Sequence, residues 1–307
     1  MWGTFFALLQ WRSTLRSRCL MSLVVAFGVY TSAAAQHASP LRGAYLRLDD
    51  VSDSGRYYVY RYRVVNAPDS RGGLAMFSVD VSAPPRTGFA TLPATGGFDH
   101  GAGYPHVDLT RFKDHVQVGP ISPPNWRAIL GRGASLAWYG DHGGFEGDVD
   151  SIAPGDSLSG FALRSPYLPG IRRSWGVPTF RSCCTEPRPA TASREAEHRQ
   201  PSEFELESWT VGPSLHDGDL SLTIVRADLQ QICGALRWIA DGAVCGPLQA
   251  TLARAMRVAQ NGDRSAATDA LRGFLHALDA QHGPGRPVND NGYWLLKVNA
   301  EYLLAHM

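Results

Sequence analysis

Histidine and aspartate gather in one stretch of this chain, Asp99-His100 followed by His106-x-Asp108, with His115 beyond it and Asp141-His142 further on. Imidazole nitrogen and carboxylate oxygen are ligands that zinc and manganese take, and a sheet protein can present several such loops at one end. A metal held by Asp99, His100, His106 and Asp108, with help from His115 or His142, would make the protein a secreted hydrolase. The spacing matches no metal motif with a mechanism behind it, and HExxH is missing. Solvated His and Asp on polar loops between Gly and Pro residues are the simpler reading.

Other reactive types are scattered. A G-x-S-x-G elbow would signal a serine hydrolase. The nearest strings, Gly133-Ala134-Ser135 and Gly155-Asp156-Ser157-Leu158-Ser159-Gly160, adjoin strand patterns with no helix after them. Cys183 or Cys184 with His198 would make a thiol nucleophile, but an exported thiol tends to oxidise. Calcium takes oxygen ligands on flexible loops, and Asp148-x-Asp150 and His216-Asp217-Gly218-Asp219 put carboxylates on turns. Neither stretch completes an EF-hand, and a turn aspartate bonds its own backbone without any cation. No cofactor is therefore expected, with Zn or Ca as the metals these loops would suit. Trp126, Trp138 and Tyr139 could form a platform for stacking a sugar, although core packing is the commoner fate of aromatic residues. The same holds for Trp294 and Tyr302.

The elements that must position these groups begin after a leader. Arg12, Arg16 and Arg18 precede an apolar run from Leu20 to Tyr30, and Ala33-Ala34-Ala35 closes it before Gln36. Positive charge, an apolar stretch shorter than the ~20 residues of a spanning helix, and an A-x-A exit make a signal peptide over residues 1–35. The expected location is the periplasm or the extracellular space, with membrane contact only during export. The apolar segment Trp2 to Trp11 is more than a minimal signal peptide needs; an over-extended start or a long n-region could explain it, and an uncleaved anchor is the alternative to cleavage. About 270 residues remain, enough for one large domain or two ordinary ones. A formal net charge of +1 leaves no basic footprint for nucleic acid. Four cysteines follow the leader: Cys183, Cys184, Cys233 and Cys245. In an oxidising compartment pairing is the default. Cys233 and Cys245 are the natural couple, closing a short loop between two expected helices, worth about 3 kcal/mol in the chain-entropy model. Cys183 and Cys184 can bridge to another chain, bind a soft metal or stay free.

From Leu41 to about Leu163 the chain reads as β. Tyr58, Tyr60, Tyr62 and Val64 alternate with Arg61 and Arg63, and Phe77, Val79 and Val81 alternate along the next run. That period of two, repeated between Gly/Pro turns without helices, predicts an antiparallel β-sandwich over 36–165. A Pro-, Arg- and Ser-rich stretch over 166–213 reads as linker or excursion, with a possible closing strand at 203–211. Over 226–306 the period becomes 3.6. Stripes run through Leu229, Ile232 and Leu236, through Leu248, Leu252 and Met256, through Ala267, Leu271, Phe274 and Leu278, and through Leu296, Ala300 and Leu303. Short connections between them predict a small antiparallel helical bundle. The expected fold class is thus α+β and multidomain, a sandwich followed by a bundle.

Leu248-x3-Leu252-x3-Met256, Gln260-Asn261-Gly262-Asp263, Ala270-Leu271-x2-Phe274-Leu275 and a last helix with Leu295-Leu296 and Leu303-Leu304 resemble the FIMAH-type helical module. That module is appended to many exported bacterial proteins, and the likeness covers about the last quarter of the chain. It implies export and modular architecture, and no catalytic residue. Arg286-Pro287 before the last helix departs from its pattern. Pro154-Gly155-Asp156-Ser157-Leu158-Ser159-Gly160-Phe161 resembles the closing strand of secreted Ig-like bacterial domains. With no assembled catalytic motif in the sequence, the expected role is a non-catalytic binding or structural protein of the cell envelope or extracellular space, with a protein or glycan as ligand. The metal-dependent hydrolase is the competing class.

Overall fold

Tyr60, Tyr62 and Val64 point inward and Arg61 points to solvent, as period-two alternation requires of a strand with one buried face. This strand, β2 (Tyr58–Val65), pairs antiparallel with β1 (Tyr45–Asp53) on one side and β7 (Ser157–Ser165) on the other. In the computed structural model the described residues are 43–55, 57–81, 118–130, 135–140, 150–178, 206–215 and 217–307. Five further strands among them are β3 (Leu74–Asp80), β4 (Val118–Ile121), β5 (Trp126–Leu130), β6 (Ser135–Gly140) and β8 (Leu168–Pro178). The last strand is β9 (Leu206–Leu215), and helices α1 (Leu222–Cys233), α2 (Gly242–Gln260), α3 (Arg264–Asp279) and α4 (Asp290–His306) follow it. The fold is mixed α+β, with two antiparallel sheets ordered β1-β2-β7-β4 and β5-β6-β3-β8-β9. The leader lies outside the described residues.

Aromatic rings join the two sheets. Phe77 of β3 stacks on Trp138 of β6 at 5.1 Å between centroids and meets Phe161 of β7 edge-on at 4.7 Å. Trp126 of β5 also meets Phe161 edge-on, at 5.2 Å. Offset and edge-to-face contacts of this kind add about 0.5–1.5 kcal/mol each beyond area burial. Gly160, at φ +102°, is the extra residue where the β2–β7 register shifts between Tyr62 and Arg63. A glycine takes that backbone conformation without a side-chain penalty, which lets Phe161 turn into the ring cluster.

Strand β8 runs where the sequence reads as linker, and this is a correction to the 166–213 boundary. Pro169 and Pro178 stand near its ends, and Ile171, Arg172 and Ser174 between them are buried. Strand β9 pairs with it from Leu206 to Leu215, so the closing strand expected at 203–211 belongs to the second sheet.

Each helix starts on a side-chain cap. Ser221, Asp241, Asp263 and Asn289 accept from the amides of Ile224, Ala243, Ala266 and Gly292, each cap worth about 1 kcal/mol. The first helix begins at Leu222, before the expected 226. The second begins at Gly242 and carries Pro247 as its sixth residue, where the ring removes the amide that would bond the Ala243 carbonyl. Val225, Leu229 and Ile232 of α1, Leu248 and Leu252 of α2, and Leu271, Phe274 and Leu278 of α3 are buried. Cys233 and Cys245 are disulfide-bonded, with Cα atoms 6.0 Å apart. Helix α4 packs on α1 and α3 and also on β1 and β8, within one compact unit that contains every described residue.

Candidate functional site

A cluster of chemically capable side chains lies where α4 meets β1. Asn289 caps α4 through its bond from the Gly292 amide at 2.9 Å, which sets the next residues, Asp290 and Asn291, against the strand. One Asp290 oxygen takes the Arg47 Nε of β1, and the other lies 2.7 Å from His282 Nε2. The His282 ring stacks on Tyr293 at 3.7 Å between centroids, nearly parallel. Tyr293 donates its hydroxyl to Asp279 at 2.8 Å. Lys297 stands 5.5 Å over the Tyr293 ring, 3.5 Å from Asp279 and 3.1 Å from Glu301. Burial pushes the Tyr293 phenol up, and its bond to Asp279 adds to that. Burial pulls the Lys297 ammonium down, but Glu301 and Tyr293 outweigh it and hold the group above its ordinary value.

A carboxylate bonded to an imidazole is half of an acid–base apparatus. Here both Asp290 oxygens and one face of the His282 ring are already used inside the protein. The neighbouring contacts have the same character. Asn291 accepts the Leu48 amide at 2.7 Å and donates to the Leu46 carbonyl at 3.3 Å. Trp294 Nε1 donates to the Asp49 carbonyl at 2.7 Å, and Asn299 donates to the Pro169 carbonyl of β8 at 3.0 Å. Strand β1 is the end strand of its sheet. An uncovered edge is a template for pairing with another chain, and α4 satisfies this one with side chains.

Asn291→Ala tests that contact directly. It leaves the buried Leu48 amide without its acceptor, so we expect a loss of about 1–3 kcal/mol in unfolding free energy. Urea titration of the variant beside the natural protein measures it, and an unchanged midpoint would show that water replaces the asparagine.

Asp99, His100, His106, Asp108, His115, Asp141, His142, Cys183, Cys184 and His198 lie outside the described residues. Among the described residues no group of three or more His, Cys, Asp and Glu is placed to hold a metal ion. Trp126 and Trp138 sit in the ring cluster, 7% and 0% exposed, so they are core residues and not a stacking platform. Tyr139 is half-buried. A cleft between the sheets, lined by Leu46, Val64, Leu74, Phe77, Ser174 and Ser208 among others, has about 200 Å³ of empty space including its open mouth. Ligand sites occupy about 300–1,000 Å³, so the cleft is too small for a drug-sized molecule.

Sequence reasoning missed Arg47, Asp279, His282, Asp290, Asn291 and Lys297. Tyr293, Lys297 and Glu301 are spaced by four and share a helix face, which is the one local signal that pointed here. No protein-family model matches the chain, and no curated protein matches it.

Proposed function

We propose that this chain is an exported protein with a non-catalytic binding or structural role at the cell envelope or outside it. In this reading its two sheets form an Ig-like sandwich, and a FIMAH-type helical module closes the sandwich edge. The observation that carries the reading is the use of α4's polar side chains in construction: Asn291 and Trp294 on the β1 backbone, and Asp290 between Arg47 and His282. The Cys233–Cys245 disulfide supports passage to an oxidising compartment. The ligand class is protein or glycan.

Two measurements test it. Expression in a bacterium with a periplasm, followed by osmotic-shock fractionation and intact-mass analysis, should give a chain starting near Gln36 with Cys233 and Cys245 oxidised. Full-length chain in the cytosol with reduced thiols would overturn the export reading. Elemental analysis of protein purified without chelators should find no stoichiometric zinc or manganese. A full equivalent of either, lost in His100→Ala or His106→Ala, would replace the binding role with the metal-dependent hydrolase.

A further inference from the structure

We propose that the Cys233–Cys245 disulfide is a redox-sensitive latch on the outer edge of β1, acting through the loop it closes and the first turn of α4. Cys233 ends α1 and Cys245 lies in the first turn of α2, and the chain between them does more than connect helices. Its backbone pairs with the segment that leads into α4: the Asn289 amide donates to the Trp238 carbonyl at 2.9 Å, and the Ala240 amide donates to the Pro287 carbonyl at 3.1 Å. Ile239 and Val288 form an antiparallel bridge. A Cβ placed on Gly292 would lie 3.3 Å from the Trp238 Cβ and 3.5 Å from the Ile232 Cδ1, so the loop and α1 press closely on the helix's first turn. Asn289 caps that same turn, and Asn291 in it holds the Leu48 amide and the Leu46 carbonyl. The segment that the disulfide encloses is thus bonded to the stretch that carries Asn289 and Asn291 to the edge of the sheet.

A dithiol reductant breaks the Sγ–Sγ bond, is oxidised to its own disulfide, and leaves its two hydrogens on Cys233 and Cys245 as thiols. The loop then gains the conformational freedom that the crosslink removed. Its hold on Asn289 and Gly292 weakens, and the first turn of α4 leaves β1 more often. Each such opening bares the Leu48 amide and the Leu46 and Asp49 carbonyls, the groups an added strand would use.

Native-state hydrogen exchange on the whole protein reads this opening amide by amide. With the disulfide intact, Leu48 should be protected. After reduction by a dithiol it should exchange at least about tenfold faster, while Phe77 and Val79 of β3, flanked by β6 and β8, speed up much less. Ala240→Pro with the disulfide intact removes the amide that donates to the Pro287 carbonyl, interrupts the same route and should also accelerate Leu48 selectively. Equal acceleration at Leu48 and β3 on reduction would mean general destabilisation and would overturn the latch. So would unchanged Leu48 exchange on reduction, or no selective response to Ala240→Pro.

Discussion

Asp80→Ala should lower the unfolding free energy by about 3–5 kcal/mol, and adding Arg172→Met should restore most of that loss. Arg172 is 0% exposed, on β8, which lies between β3 and β9 in the second sheet, where an unpaired guanidinium would be very costly. Its Nε donates to the Pro213 carbonyl at 2.8 Å, and its Nη1 lies 3.6 Å from the Asp80 carboxylate. Burial pulls the guanidinium below its ordinary value, and Asp80 foremost, with Tyr60 and Tyr62 after it, pulls it back. Removing the carboxylate alone leaves the charge buried beside a truncated side chain. Removing both charges leaves an apolar side chain of similar length among Val79, Tyr62 and Gly212, which already border Arg172 or its neighbouring strand. Such replacements of buried ion pairs are often neutral or stabilising. Urea unfolding of the natural protein, the single variant and the double variant decides the matter. A single-variant loss under about 1 kcal/mol, the size of an exposed pair, would show that Asp80 is not the counter-charge.

That buried pair also explains what could and could not be read from the chain. The alternation of tyrosine and arginine in β2 was legible because each residue's type matches its face: Tyr60 and Tyr62 are buried and Arg61 is exposed. The helical stripe Ala267, Leu271, Phe274 and Leu278 was legible for the same reason. Strand β8 was not. Two adjacent arginines between prolines carry the signature of a solvated linker. What makes Arg172 a core residue is a carboxylate on β3 and a carbonyl on β9, and no local window contains either. The cluster around α4 was hidden likewise, since Asn291 and its partner Leu48 are separated by 243 positions. Lone polar residues at a helix start read as caps, and only the packed fold shows that one of them completes a strand edge.

Asp228→Leu should stabilise the protein at pH 8 far more than at pH 4. Asp228 lies on the buried side of α1 with Val225, Leu229 and Ile232, and its Oδ2 is buried without a hydrogen-bond partner. Desolvation raises its carboxyl from 3.8 to about 7. A group whose folded value exceeds its unfolded one contributes stability that is fully present below 3.8 and is lost as pH rises through about 7. The natural protein should therefore lose on the order of 4 kcal/mol from this residue between about pH 4 and pH 8. The leucine variant has no such loss and fills a similar volume with apolar atoms. Other titrating groups contribute equally to both proteins, so the difference between their urea-unfolding free energies isolates Asp228. That difference should grow with pH and level off above about pH 8. A difference that stays constant from pH 4 to pH 8 would mean that the carboxylate reaches water or a hydrogen-bond donor, and that burial does not govern its proton.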